Sequence, residues 1–367
     1  MKKSALRGQF LGKATDNRPT IVDIAHLAGL SPASVSNALT GRRHVAAATR
    51  KTVLAIADRL GYSPNLRARR LRTGRADTIA VFSPMPFAIA GGPSRLGFLM
   101  EIAAAAAAAS LENGIALVLV PPMERGRAPF DDLQIDGAIV VEPATDDPDV
   151  ATLRGRGVPV VSIGRQNGAE EIPFIDLRSG FAARLLLEHL AEQGAQRIAL
   201  VVGAQRRNSH VEAEQAYRRF ATGRGMKPIV VKIDETGGEP AATEAIADLL
   251  RRRERIDAFC APVDVFAVGA MTAARAMRRR VPEDVKIVTR YDGIRARECS
   301  PPLTALSLHL DQYATLAVGL LLDCIEGRAV PRTLAGPMPE LIPRASSASV
   351  AHQRVSAHNS WLSRITE

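Results

Sequence analysis

The stretch "LSPASVSNALTGRRHV", residues 30–45, places Pro32, Ala33, Ser34, Ser36 and Asn37 opposite Val35, Ala38 and Leu39 on a short helix, just after Ser31. Small hydroxyls and one amide let such a helix approach closely anything with hydrogen-bonding edges. A major groove admits a helix, and Ser and Asn pair with base edges or phosphates. The same spacing also fits any two-helix corner of an α-helical domain. Catalysis is the competing chemistry, and no motif supports it. There is no Gly-x-Ser-x-Gly elbow, no phosphate loop, no His-Glu-x-x-His and no Gly-x-Gly-x-x-Gly after the first strand. Ser209 and His210 are adjacent, so they do not face each other as nucleophile and base. Cys260, Cys299 and Cys324 lie far apart without a Cys-x-x-Cys pair, which suits buried thiols in a reducing cytoplasm. A non-enzyme without cofactor or metal is expected.

The elements around this stretch are short, well-punctuated helices. "TIVD" is a capping box from Thr20 to Asp23, Ile21, Ile24, Ala25 and Ala28 follow at helical spacing, and Gly29 is a stop. Ser31 restarts the chain as a cap with Pro32 at the first helical position. "AAATRKTVLAIADRLGY" gives a third helix with Val53, Ile56, Ala57 and Leu60 on its apolar side. Charge is concentrated here: residues 1–76 hold fifteen Lys or Arg against three acids, +12 of a net +10, so the rest of the chain carries −2. A basic head on a near-neutral body is an electrostatic footprint of nucleic-acid binding. "LRARRLR" sets Arg67, Arg69, Arg70 and Arg72 around Leu66, Ala68 and Leu71, too short and too charged to stand alone as a helix. It is either a flexible basic linker or a segment that orders on a polyanion or on its own copy, with Leu71 as an apolar wedge between base steps.

Taken together, "TIVDIAHLAGLSPASVSNALTG", "HVAAATRKTVLAIADRLGYSPN" and "LRARRLRTGRADTIAV" resemble the LacI (lactose repressor) family over about residues 19–82. The resemblance implies a head that binds a palindromic double-stranded DNA operator as a homodimer, with hinge helices paired in the minor groove. By position it makes Pro32–Leu39 the recognition helix, with Pro32 and Ala33 choosing bases and Thr20, Ser31, Ser34, Ser36, Asn37 and His44 in contact positions. Asn65, Ala68 and Leu71 become the hinge contacts. Pro32 and Ala33 offer no side-chain hydrogen bonds, so base choice there must rest on apolar contact and DNA shape. The third helix departs from the family in opening on Ala46 instead of a Ser cap.

From Asp77 onward apolar strand runs alternate with helical patterns: "TIAVFS", "IALVLVP", "GAIVVE", "VPVVSIG", "RIALVVG", "PIVVKID", "IDAFCAP" and "VKIVT", with helices near 96–112, 179–193, 210–224, 240–253 and 264–279. Parallel sheets covered on both faces follow, with a ligand crevice at the strands' C-terminal ends. With what the resemblance implies for such a body, the expected fold is an N-terminal all-α helix-turn-helix domain plus an α/β periplasmic-binding-protein-like body of two doubly wound subdomains. The expected organisation is a basic arm (1–18), the head (19–63), a hinge (64–76), the body (77–345) and a mobile tail (346–367). Within the body, the first subdomain takes about 77–177 and 308–325, the second 178–307 and 326–345.

The resemblance also places a small-molecule effector, sugar-like or acidic, in the body. "VPEDVKIVTRYDG" sets Asp292 where the family holds an effector hydroxyl or amine, and Arg207 and Ser209 fall in a ligand loop. There, the Arg207 fork suits a carboxylate. Phe87, Arg95, Asp176 and Asp264 complete the expected lining. Several familiar polar positions are replaced, among them a usual Asn-Asp pair that here is Val263-Asp264. A family member with a degenerate effector site, or one that activates, is therefore the alternative to an effector-controlled repressor, dimeric or tetrameric. No apolar run reaches the ~18 residues a membrane span needs, so a cytoplasmic protein is expected.

Overall fold

The computed structural model describes residues 19–40, 45–62, 74–90, 97–121, 130–168, 172–252 and 255–348. The chain divides into two compact units, Met1–Gly74 and Arg75–Glu367.

The first unit holds α1 (Ile21–Ala28), α2 (Pro32–Thr40) and α3 (Ala47–Arg59). Asp23 accepts the Thr20 backbone N–H and the Thr20 hydroxyl, both at 2.7 Å. Those two bonds, the backbone one foremost, hold its carboxyl below the usual range. Gly29 ends α1 at φ 63°, the left-handed region that favours glycine. The Ser31 hydroxyl accepts the Ser34 N–H at 3.1 Å and so caps α2. No side-chain cap opens α3, where Ala46 stands. Ile24, Val35, Ala38 and Val53 are fully buried, with Ala25 and Ala57 beside them. The apolar stripes of all three helices thus meet at the centre, Ile24 from α1, Val35 and Ala38 from α2 and Val53 from α3.

In the second unit, β1 (Thr78–Phe82), β2 (Ala116–Val120), β3 (Gly137–Val141), β4 (Val160–Ile163), β5 (Phe174–Asp176) and β11 (Thr333–Ala335) form a six-stranded parallel sheet in the order β11-β5-β4-β3-β1-β2. A second parallel sheet runs β7-β6-β8-β9, from β6 (Ile198–Gly203), β7 (Val230–Ile233), β8 (Ala258–Cys260) and β9 (Lys286–Val288). β3, β6 and β8 are buried at every residue, as continuous apolar strands covered on both faces must be. β10 (Ala305–Ser307) and β12 (Glu340–Ile342) pair as an antiparallel ribbon. α5 (Phe98–Glu112) and α12 (Leu310–Ile325) pack against each other on the first sheet, α7 (Ser179–Glu192) with α8 (Asn208–Gly223) and α9 (Gly238–Arg251) with α10 (Asp264–Ala276) on the second.

Two expectations need correction. β11 pairs with β5, so residues 333–335 join the first sheet instead of the second subdomain, a pairing whose partners lie more than 150 residues apart. The mobile tail does not begin at 346: Ser346 and Ser347 are fully buried and Ala348 nearly so. The Ser346 hydroxyl donates to the Ile287 carbonyl and accepts the Thr304 N–H at 2.8 Å. The rest of the proposed tail, 349–367, lies outside the described residues.

His189 on α7 secures this end. Its Nε2 is 2.7 Å from the Ser347 hydroxyl, which is 2.6 Å from the Thr304 hydroxyl, and Thr304 donates to the Arg344 carbonyl. That order makes neutral His189 the donor. Burial pushes the imidazole pKa down to about 4. An unfolded His189 takes up its proton near pH 6.5, the folded one near pH 4, so between these values the unfolded chain binds more protons. Stability is full above the window and falls as pH drops through it, by on the order of 2–3 kcal/mol. Thermal melts of wild type and His189→Gln from pH 7 to 4 are expected to converge as pH falls. Parallel curves would exclude this role.

Candidate DNA-reading helix and effector cleft

On α2 the polar side foreseen from spacing is present, but its members are not equally available. Pro32 and Ala33 are exposed, and Ser34, Ser36 and Asn37 half-buried. Ser31 is exposed, yet its hydroxyl is engaged as the cap and sits 2.9 Å from the Ser34 hydroxyl. Thr20 is exposed at the start of α1 with its hydroxyl on Asp23. The outer surface at the N-terminal end of α2 is therefore small and smooth, able to approach a groove floor closely, and its exposed tip carries no long side chain. His44, Asn65, Ala68 and Leu71 lie outside the described residues.

In the body, the C-terminal ends of β3 and β6 face each other across a cleft between the two sheets. Glu142, just after β3, is 4% exposed; Arg207, just before α8, is 2% exposed. Arg207 donates to Glu235 Oε2 from Nη2 at 3.1 Å, to the Glu142 carbonyl from Nη1 at 2.7 Å and to the Pro84 carbonyl at 3.3 Å. The fork expected to await a ligand carboxylate is thus committed to one of the chain's own. Gly203 at the end of β6 makes room for this: a Cβ there would meet Glu235 Oε1 at 2.1 Å and the His210 ring at 2.5 Å.

Arg290, after β9, donates from Nη2 to Glu142 Oε1 at 2.5 Å and from Nη1 to the Ser179 hydroxyl at 3.1 Å, with its guanidinium 5.6 Å from the Phe98 ring centre. Ser209 donates to Glu142 Oε2 at 2.6 Å. Burial pushes the Glu142 carboxyl up, but the Arg290 charge and the Ser209 hydroxyl outweigh it and hold the group below its usual range. His210 is driven down by burial against the pull of Glu235 and Glu142, and so is neutral. Asp264 pairs with Arg295 at 3.2 Å, yet burial raises its carboxyl. Tyr291 stacks edge-on against Phe98 and donates to Glu101 at 2.5 Å.

Glu142, Arg207, His210, Glu235, Asp264, Arg290, Tyr291 and Phe98, with Met85, Ile89, Ala90, Pro262 and Val263, line a cavity of about 40 Å³. Such a space holds about one to three waters and no metabolite ring, so admitting one requires the cleft walls to move.

Of the residues expected to line the site, Arg207 and Asp264 do so, and Ser209 lines an adjoining space of about 10 Å³. Asp292 does not. Its carboxylate is held by Arg344 at 2.6 Å and Arg297 at 3.6 Å, away from the cavity. Phe87 is half-buried in α4 (Phe87–Ala90), whose Ile89 and Ala90 face the cavity in its place. Asp176 ends β5 and accepts the Arg178 N–H at 2.9 Å, also outside the lining. Arg95 lies outside the described residues. The sequence reading missed Glu142, Glu235, Arg290 and Tyr291, which dominate the cleft. The one local signal was the acid closing "GAIVVE" at a strand's C-terminal end.

A three-helix unit with a close-approach face and a two-sheet clamp define a helix-turn-helix regulator with a binding-protein-like body. The family model for bacterial regulatory proteins, lacI family, matches residues 20–65, and that for the periplasmic binding protein-like domain matches 187–347. The HTH-type transcriptional regulator CelR of Thermobifida fusca is 32% identical over 84% of this chain and 93% of its own length. The regulator MalR of Streptomyces coelicolor is 30% identical over 91% and 98%. A solved transcriptional regulator CelR–cellobiose complex is 29% identical over 90% of this chain and 100% of its own, at TM-score 0.67. A lac repressor dimer bound to operator and the anti-inducer ONPF, 24% identical over 91% and 100%, shares the fold at TM-score 0.70. The chain belongs to the LacI family of transcriptional regulators, with a DNA-binding helix-turn-helix head and a periplasmic-binding-protein-like body. No helix among the described residues is long and apolar enough to cross a membrane.

Proposed function

We propose that this protein is a cytoplasmic repressor that binds a palindromic operator as a homodimer and is modulated by a small molecule in the cleft. The observation that carries the reading is the exposed, small-residue N-terminal face of α2 on a separately folded, strongly basic unit. Pro32 and Ala33 read bases by contact and shape, while Thr20, Ser31, Ser34, Ser36, Asn37 and His44 touch mainly the backbone; Asn65, Ala68 and Leu71 serve the hinge. The solved lac repressor dimer on operator supports the two-fold arrangement. So do exposed apolar residues on two helices of the body that pack together, Ala104, Ala108 and Leu111 of α5 and Leu316 of α12. The effector is a sugar-like or acidic metabolite; a relative was solved with cellobiose, and the cleft's arginines suit an acid. The small, internally paired cavity favours a second reading, a cleft that has lost its effector.

Selection from a random DNA pool by the full-length protein, at about physiological salt to suppress nonspecific background, tests the first reading. A palindrome of about 14–20 base pairs is expected, two half-sites about the two-fold axis. Recovery of no motif would reduce the head to general nucleic-acid affinity.

A further inference from the structure

Glu142 comes from the end of a first-sheet strand, and both oxygens of its carboxylate are received by groups of the second sheet. Arg290 and Ser209 take one oxygen each, at 2.5 and 2.6 Å, and Arg207 donates to its carbonyl at 2.7 Å. This is the pattern by which a protein receives a ligand carboxylate: a guanidinium and a hydroxyl on separate oxygens, in a water-poor site. The receiving groups are built in. Ser209 and Ser179 are nine-tenths or more buried, and Arg290 is oriented by Ser179 on one side and the Phe98 ring on the other. One Arg290 donor, Nε, is buried with no partner. The backbone of Glu142 has φ 53°, a conformation that costs a non-glycine residue energy and persists only where surroundings enforce it. An intramolecular occupant held at such a cost behaves as a tethered ligand.

We propose that Arg290, Ser209 and Ser179 form a carboxylate-binding subsite, that the chain fills it with Glu142, and that the effector class fitting it is a small carboxylic acid. This deepens the proposed effector cleft and rests on that reading for its regulatory meaning, though not for the existence of the subsite. It also moves the anion-binding role from Arg207, whose donors are spent on Glu235 and two carbonyls, to Arg290. A ligand carboxylate competes with Glu142 for the same atoms. Because Glu142 ties one sheet to the other, the competitor loosens the clamp as it binds, and its differential affinity for the loosened state sets how far it shifts the protein.

Chemical rescue of full-length Glu142→Ala tests this. Removing one partner of a buried pair is expected to lower the melting temperature by on the order of 5–10 °C. Titrated acetate is expected to restore part of that loss saturably and chloride at matched ionic strength to restore none, while wild type, whose subsite Glu142 already fills, gains no stability from either. Adding Arg290→Leu is expected to abolish the rescue. The proposal is overturned if acetate does no more than chloride, if wild type shifts equally, or if rescue survives Arg290→Leu. Should Glu142→Ala fail to fold in plain buffer, refolding yield in acetate against chloride reads the same property, and failure in both overturns it. No DNA enters the measurement, so its outcome stands apart from that of the operator selection.

Discussion

Ile24→Ala is expected to abolish specific DNA binding while leaving the unfolding of the body unchanged. Ile24 is fully buried and packs with Val35 of α2 and Val53 of α3, so it joins all three helices of the first unit. Truncating a buried Ile to Ala removes three carbons and leaves a cavity, at a cost of about 2–5 kcal/mol. A core this small supplies no more than about 3–5 kcal/mol in total, so the loss is comparable with the unit's whole stability. The body has its own cores and does not share these residues. The variant should therefore lose far-UV helical signal equivalent to α1–α3 and lose operator affinity, while the main thermal transition stays in place. Leu27→Ala is the control. Leu27 lies on the same helix but is half exposed, and its truncation should change stability by about 0.5 kcal/mol or less. Retained operator affinity in Ile24→Ala, or an equal fall in the body's transition, would contradict two independently stabilised units.

The head was readable because what builds it is local. Ser31 caps a helix three residues away, Gly29 stops the helix it follows, and Val35 and Ala38 declare the buried side of α2 by spacing alone. The apolar runs of β1, β3 and β6 were equally plain, since a strand covered on both faces needs no polar alternation. The cleft was not readable, because its chemistry consists of charges that meet only after folding. Arg207 and Glu235 are 28 positions apart, Arg207 and Glu142 65, and Arg290 and Glu142 148. A loop arginine in a sequence looks available. Its burial is a property of the two sheets that close over it. Asp292 lies off the cavity lining for the same reason: Arg344, which pairs with its carboxylate, comes 52 residues later, just after β12.

Arg207→Ala is expected to be among the most destabilising single changes in the body, at about 3–5 kcal/mol, on the order of 10 °C in melting temperature. Coulomb attraction between Arg207 and Glu235 is not the reason, since a buried pair gains little over a well-packed apolar one. What the substitution does is leave Glu235, 2% exposed, as a carboxylate without a cation, with neutral His210 as its neighbour 3.5 Å away. It also strips a donor from the buried Glu142 carbonyl and from that of Pro84, which the guanidinium joins across the cleft. Arg207→Lys keeps the charge but reaches only part of this three-way pattern, so it should fall between wild type and alanine. The decisive variant is the double substitution Arg207→Met with Glu235→Leu. If the cost of Arg207→Ala is mainly the stranded carboxylate, the double variant should be markedly more stable than the single. If it is mainly the two carbonyls, the double variant should melt no higher than Arg207→Ala. The first outcome makes the pair a matter of specificity in closing the cleft, and the second makes Arg207 the strut between the two sheets.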